Sequence, residues 1–145
     1  MSAGQVCSRT VITAAPDESA RVGAQRMSVH GVGTLVIVKS AGSTKPMGIV
    51  TDRDIVVRCV AGGLDSESTP LSTIMTEPVR VIDENVSLED AIQRMADASA
   101  RRLVVTGDGD RIVGILSLDD LLNVMAERLS PLHRLFEHQG PHIAV

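Results

Sequence analysis

The fold of this chain is decided by Gly48-Ile49-Val50-Thr51-Asp52-Arg53-Asp54 and by its echo, Gly114-Ile115-Leu116-Ser117-Leu118-Asp119-Asp120. Each stretch predicts a short apolar strand, then a hydroxyl residue, then an aspartate three positions later at the start of a helix. One interpretation is a capping box, in which hydroxyl and aspartate bond to the first backbone N–H groups. The other is a nucleotide site, because a helix start suits a phosphate and a carboxylate accepts hydrogen bonds from a ribose diol. A single copy would favour the cap, and a second copy in one short chain strengthens the nucleotide interpretation.

The composition predicts an aliphatic core and excludes the usual nucleic-acid-binding classes. The chain has 145 residues, of which 43% are hydrophobic, and Phe136 is the only aromatic residue. The bases of a single strand therefore have no aromatic platform on which to stack. The formal net charge is −4 and no block of basic residues occurs, so the electrostatic footprint of a nucleic-acid-binding protein is missing.

The sequence also predicts a cytoplasmic protein. No apolar run reaches the length of a membrane span, and the N-terminus lacks the basic and apolar segments of a signal peptide. Cys7 and Cys59 cannot form a disulfide framework, and they lack the spacing of metal ligands. We expect both cysteines to fill small apolar positions rather than to react.

An internal repeat organises the chain. Gln25-Arg26-Met27 recurs 68 positions later as Gln93-Arg94-Met95, and Gly48 recurs 66 positions later as Gly114. The difference falls in the turn at 40–45, where a change of length is tolerated. The pattern predicts an α+β fold of two pseudo-symmetric β-α-β-β-α repeats. The repeats are expected to pack sheet to sheet, because one sheet alone buries too little apolar surface.

The expected boundaries are 5–65 for the first repeat, 66–128 for the second, and 129–145 for a helix end and flexible tail. Residues 1 to about 10 are predicted to be a polar segment leading into the first strand, Val11-Ile12. Val79–Ile82 is the matching strand of the second repeat. The last helix is predicted to end near Ser130-Pro131 or to continue beyond it.

The order and duplication of these motifs resemble a tandem pair of cystathionine-beta-synthase (CBS) domains, a Bateman module of the stand-alone type. The resemblance covers about residues 5–128 and rests on 47–54 and 113–120. Ile74-Met75-Thr76-Glu77-Pro78-Val79 and Arg102-Leu103-Val104-Val105 support it. Residues 51–63 are also similar to small actinobacterial pairs linked to stress or hypoxia.

The resemblance implies that clefts between the two repeats bind adenosyl nucleotides: AMP, ADP, ATP, NAD or S-adenosylmethionine. Asp54 and Asp120 would accept hydrogen bonds from a ribose diol, while Thr51 and Ser117 would hold a ribose or phosphate oxygen. Adenine would lie among aliphatic side chains and backbone groups near the first strand of each repeat, at Thr10, Val11, Ile12, Pro78, Val79 and Arg80. No obligatory cofactor is implied.

The two clefts are expected to differ. Arg101 and Arg102 stand where the first repeat has Gly33 and Thr34. The arginines are either phosphate contacts, because guanidinium donors match phosphate oxygens, or a surface pair that flanks a strand. The more basic second half therefore favours a phosphorylated ligand.

Neither a catalytic set nor a metal site is predicted. A nucleophile with an adjacent base is not visible, and His133, His138 and His142 fall in a tail that supplies no fixed geometry for a metal. The sequence therefore predicts a non-catalytic regulatory sensor in which a ligand shifts the arrangement of the two halves. The alternative is a docking or stress-response module whose clefts are empty or vestigial.

The sensor's output is expected to pass through a homodimer or to a separate protein partner. In the family that this chain resembles, such modules commonly dimerise through their helices. Two apolar stripes are the predicted interface, although core packing competes for the same side chains. They consist of Leu121, Leu122, Met125 and Leu129 in the second repeat and Ile55, Val56 and Val60 in the first.

Overall fold

Each half of the chain forms a three-stranded sheet with helices on one face, in a computed structural model that describes residues 1–137. The first half contains α1 (Ala3–Val6), β1 (Thr13–Ala14), α2 (Ala20–His30), β2 (Thr34–Val38), β3 (Pro46–Thr51) and α3 (Asp52–Asp54), which continues as a π-helix over Ile55–Val60. The second contains α4 (Leu71–Ile74), β4 (Val81–Asp83), α5 (Leu88–Asp97), β5 (Arg102–Gly107), a 3₁₀ turn (Asp108–Asp110), β6 (Arg111–Ser117) and α6 (Leu118–Glu137). The predicted duplication is confirmed.

The two sheets have the same topology, and their inner faces are buried. In each sheet the central strand pairs in parallel with the first strand and antiparallel with the third. Leu35 and Ile37 of β2 contribute to the first hydrophobic core. Val36, which lies between them in the sequence, points to the opposite face of the sheet. Val36 is nevertheless fully buried, as is Val104 at the matching position of β5. These opposite faces are the ones on which the repeats pack sheet to sheet.

The short helices α1 and α4, which we call the leading helices, cross over between the repeats. Ala3 and Cys7 belong to the core of the second repeat, whereas Leu71 and Ile74 belong to the core of the first. Each leading segment then forms a bridge with the last strand of the other sheet, Ser8 with Ile115 and Thr76 with Ile49. Each repeat therefore completes its core with residues from the other.

Three sequence-based expectations are corrected. The first ten residues are not a simple polar segment, because α1 places Ala3 and Gly4 in the interior. The first strand lies at Thr13–Ala14 rather than at Val11-Ile12, and its counterpart lies at Val81–Asp83 rather than at Val79–Ile82, since these are the residues that pair with β2 and β5. The last helix continues past Pro131 to Glu137. The helix is exposed around Pro131. Water can therefore donate a hydrogen bond to the backbone carbonyl that the missing N–H of proline leaves without a donor.

The crossover explains the glycine that opens both repeated stretches. A Cβ atom at Gly114 would lie 2.6 Å from the backbone oxygen of Ser8 and 2.5 Å from the Cys7 sulfur. At Gly48 it would lie 2.6 Å from the Met75 sulfur but 3.3 Å from the backbone oxygen of Thr76. Both glycines thus allow the partner repeat's leading segment to approach the strand, and the approach is tighter at Gly114.

We predict that Gly114→Ala lowers the free energy of unfolding by about 1–3 kcal/mol, because the new methyl group meets backbone that cannot move aside. Gly48→Ala serves as the matched control and should cost less, since the flexible Met75 side chain can yield. Urea unfolding of both variants measures the difference. Equal or reversed costs would contradict the crossover as the reason for these glycines.

Candidate functional site

The two repeated helix starts both form capping boxes. The backbone N–H of Thr51 donates to Asp54 Oδ2 at 2.8 Å, and the Asp54 N–H donates to Thr51 Oγ1 at 3.2 Å. Ser117 and Asp120 repeat the arrangement with the same two distances, 2.8 and 3.2 Å. The hydroxyls also donate to the aspartates, at 3.1 Å from Thr51 and 2.6 Å from Ser117. The capping interpretation of the sequence is therefore confirmed.

Capping uses only one oxygen of each aspartate. The capping bonds that the aspartates accept all end on Oδ2, so Oδ1 keeps its capacity to accept hydrogen bonds. The Arg58 Nε atom lies 3.6 Å from Asp54 Oδ1, while Asp120 Oδ1 has no hydrogen-bond partner within residues 1–137. Capping and ligand binding are therefore compatible at the same carboxylate.

The first of these caps opens onto a cavity of about 300 Å³ between the repeats, which we call the first cleft. Thr51 and Asp54 come from the first repeat, and most of the other lining residues come from the second. The remaining lining residues are Ile49, Thr76, Val79, Arg80, Ala98, Ser99, Ala100, Arg101 and Arg102. The first cleft is thus a composite of one repeat's cap and the other repeat's leading segment and loop before β5.

The second cap opens onto a smaller cavity of about 200 Å³, which we call the second cleft. Here Ser117 and Asp120 come from the second repeat, with Asp119 and Ile115 beside them, and the first repeat supplies the opposite wall. That wall consists of Ser8, Thr10, Val32, Gly33 and Thr34, and Arg102 completes the lining. The pseudo-symmetry of the fold therefore produces two related clefts of unequal size.

The structure brings together nine of the twelve predicted site residues at these two clefts. Pro78 lies beside the first cleft, in an adjoining cavity of about 530 Å³ that Val79 and Arg80 also line. Val11 and Ile12 line neither cleft, and Ile12 packs against the first core. Sequence reasoning did not identify Thr76 and Ser99 as lining residues, although alignment of the repeats places Thr76 opposite the lining residue Ser8.

Charge is distributed unequally between the two clefts. Arg80, Arg101 and Arg102 face a single carboxylate in the first cleft, that of Asp54. In the second cleft Arg102 faces two carboxylates, those of Asp119 and Asp120. The basic residues of the second repeat therefore line the cleft that contains the first repeat's cap. The sequence alone did not determine in which cleft these arginines lie.

The two cysteines are buried, as expected for packing residues. Burial raises the pKa of the Cys7 thiol, with the nearby Arg9 opposing the shift and Asp120 adding to it. The thiol is therefore protonated and weakly nucleophilic at neutral pH. Cys59 lies in the first core. Within residues 1–137 no group of three or more histidine, cysteine or acidic residues is arranged to hold a metal, and His138 and His142 lie outside those residues.

An apolar strip on α6 is open to solvent. It consists of Leu122, Met125, Leu129 and Leu132, each about half exposed. Two apolar cavities of about 270 and 330 Å³ adjoin it, and Ile92 and Met125 line both. Leu121 faces inward and belongs to the second core, whereas Val56 and Val60 of the π-helix are exposed. Among the described helices none has the length and apolar character to span a bilayer.

Comparison with known protein families matches this chain to the CBS domain twice, at residues 3–60 and 71–127. The CBS domain-containing protein YhcV of Bacillus subtilis is 40% identical over 111 residues, which are 77% of this chain and 76% of YhcV. An uncharacterized protein of Methanopyrus kandleri is 36% identical over 124 residues, and the match spans 86% of this chain but only 62% of that relative. Hypoxic response protein 1 of Mycobacterium tuberculosis is 28% identical over 127 residues, 88% of this chain and 82% of its own length.

Solved structures show the same fold. A conserved protein of Pyrococcus horikoshii superimposes with a TM-score of 0.77 at 25% identity, over 86% of this chain and 91% of its own. The CBS domain protein PAE2072 of Pyrobaculum aerophilum, solved in complex with AMP, superimposes with a TM-score of 0.75 at 24% identity, over 83% and 90% of the two chains.

Proposed function

The chain belongs to the CBS-domain family, and on that premise we propose that it is a non-catalytic regulatory module that binds adenosyl nucleotides in its two clefts. Binding between two repeats favours one relative arrangement of the halves, and the difference in affinity between arrangements sets the size of the response. The response is read by a second copy of the chain or by a separate protein.

One observation carries this proposal: each cleft places a hydroxyl and a half-used carboxylate side by side. A ribose offers two neighbouring hydroxyl donors, and Oδ1 of Asp54 or Asp120 accepts them while Oδ2 keeps the helix capped. Each cleft also has aliphatic side chains in its wall, Ile49 and Val79 in the first and Val32 and Ile115 in the second, and these suit the faces of an adenine ring. A nucleoside combines a ribose diol with a flat base, so it matches both features of the cleft.

The first cleft is the site for a phosphorylated ligand. Its three arginines outnumber its one carboxylate, and guanidinium groups bind phosphate oxygens bidentately. The second cleft has two carboxylates and one arginine, so it favours an uncharged or less phosphorylated adenosyl compound. The AMP bound by the P. aerophilum protein, a structural neighbour, is consistent with this ligand class.

The non-catalytic part of the proposal rests on the chemistry of the lining residues. The described walls of the two clefts contain serine and threonine hydroxyls but no histidine, cysteine or lysine that could act as a base or nucleophile. Asp54 and Asp120 each use Oδ2 for capping, and Oδ1 is assigned to the ribose diol. The cleft residues bind and orient a ligand without transferring a group to it.

Thermal unfolding of the purified protein against AMP, ADP, ATP, NAD and S-adenosylmethionine tests the ligand class. A ligand at one hundred times its dissociation constant adds about 2.7 kcal/mol to the folded state, which raises the midpoint by roughly 5–10 °C for a chain of this size. We expect a shift with at least one of the five compounds. No shift with any of them would favour the docking alternative, in which the exposed apolar surface binds a partner protein.

We further propose that the α6 strip is a homodimer interface, because four half-exposed apolar side chains along one helix face form a patch that water disfavours. Replacing Leu122 and Met125 together by glutamate should convert the dimer to monomer at micromolar concentration, as measured by sedimentation. Val29→Glu on α2 is the matched control, since Val29 is 81% exposed and lies outside the strip. A double variant that sediments as the parent protein does would remove the strip from the interface.

A further inference from the structure

One side chain, that of Arg102, lines both clefts. Arg102 is the first residue of β5, and across the sheet it pairs with Ser117, the capping residue of the second cleft. The alternation of the strand puts it on the same face as Val104, which lies between the two sheets. The Arg102 side chain therefore leaves the backbone between the two sheets, where the two clefts approach each other.

Arg102 is also uncommitted. It makes no hydrogen bond or ion pair with any residue of the described part of the chain, although its side chain is half-buried. The matching residue of the first repeat is Thr34, which is uncharged and lines only the second cleft. Among the residues that the structure describes, Arg102 is thus the cation that the two clefts share, whereas Arg80 and Arg101 line the first cleft alone.

We propose that Arg102 couples the two clefts, because a phosphate bound in one of them withdraws this guanidinium from the other. This inference rests on the proposed function, and it adds a regulatory property to it: two phosphorylated ligands bind with negative cooperativity. The coupling is reciprocal, as any linkage between two binding sites must be. An uncharged ligand such as adenosine does not compete for Arg102 and binds the two clefts independently.

A double-mutant cycle followed by isothermal titration with AMP tests the coupling. Asp54→Asn impairs the first cleft without removing the capping oxygen, so Arg102 is left to the second cleft. We expect the weaker AMP-binding step of the parent protein to tighten about tenfold in this variant, since hydrogen bonds to charged groups carry energies of that order. In the Arg102→Ala background, the same Asp54→Asn change should leave the weaker step unaltered.

The possible outcomes separate the coupling from its competitors. A weaker step that does not tighten in Asp54→Asn means that the clefts are independent, and this would overturn the inference. A step that tightens equally with and without Arg102 means that direct repulsion between phosphates causes the coupling, which also overturns it. If the parent protein shows only one binding step, Asp54→Asn must make AMP binding in the second cleft measurable. Absence of AMP binding in the parent protein would reject this inference together with AMP as a ligand, whereas a shift with another compound would leave the ligand class intact.

Discussion

Replacing Asp54 and Asp120 together by alanine is expected to weaken nucleotide binding strongly in both clefts. Each change removes the Oδ1 atom that accepts the ribose diol, and hydrogen bonds to a charged acceptor contribute about 1.5–3 kcal/mol. Affinity in each cleft should therefore fall by roughly ten- to a hundredfold. Isothermal titration with the nucleotide that gives the largest thermal shift measures the loss.

The same substitution also removes two helix caps, at a cost of about 0.5–2 kcal/mol each, so binding must be compared in protein shown to be folded. Asp54→Asn with Asp120→Asn keeps an acceptor for the capping N–H groups and separates the cap from the binding charge. Asp52→Ala with Glu127→Ala is the matched control, because it removes two exposed carboxylates from the same two helical regions. Unchanged affinity in the alanine pair would show that the ribose site lies elsewhere.

A fragment of residues 1–65 is expected to be unfolded, although it contains the whole predicted first repeat. It lacks Leu71 and Ile74, which are fully buried in the first core. Burial of two such side chains contributes about 1.5–3 kcal/mol each, a large part of the 5–15 kcal/mol by which a domain is stable. Circular dichroism and the dispersion of amide proton signals measure the folded fraction.

A fragment of residues 8–76 is the matched control, because it keeps α4 and thereby completes the first core while it omits α1. We expect more native structure in it than in 1–65.

The intact chain should unfold in a single transition, since backbone hydrogen bonds from Ala20 to Thr69 and from Leu71 to Glu18, both 2.8 Å, add to the crossover. A folded 1–65 fragment would show that each repeat is a separate unit.

Most of the fold could be predicted from the sequence because it is duplicated. A register that holds from Gln25 to Gln93 and from Gly48 to Gly114 determines which elements correspond, and the continuous apolar runs at 35–38 and 103–105 predict buried strands. The crossover of the leading helices could not be predicted in this way. A shift of 68 residues relates Cys7 to Met75, but it does not say which repeat's core each residue enters.

The candidate site shows the same limit. Local spacing was enough to predict that Thr51 pairs with Asp54 and Ser117 with Asp120, because a cap is made within one turn of chain. The assignment of Arg101 to the cleft of Asp54 depends on how the two repeats face each other, and no local pattern contains that information. Whether these residues bind a nucleotide stays a prediction.

The most direct test of the central claim is titration of the ¹⁵N-labelled protein with AMP, followed through its amide signals. We expect the amides of Thr51 and Asp54 and of residues 99–102 to shift first, and those of Ser117 and Asp120 to shift at higher AMP concentration. The amides of the exposed α6 strip should move little at constant protein concentration. Shifts confined to the α6 strip, or no shift at millimolar AMP, would contradict nucleotide binding in the two clefts.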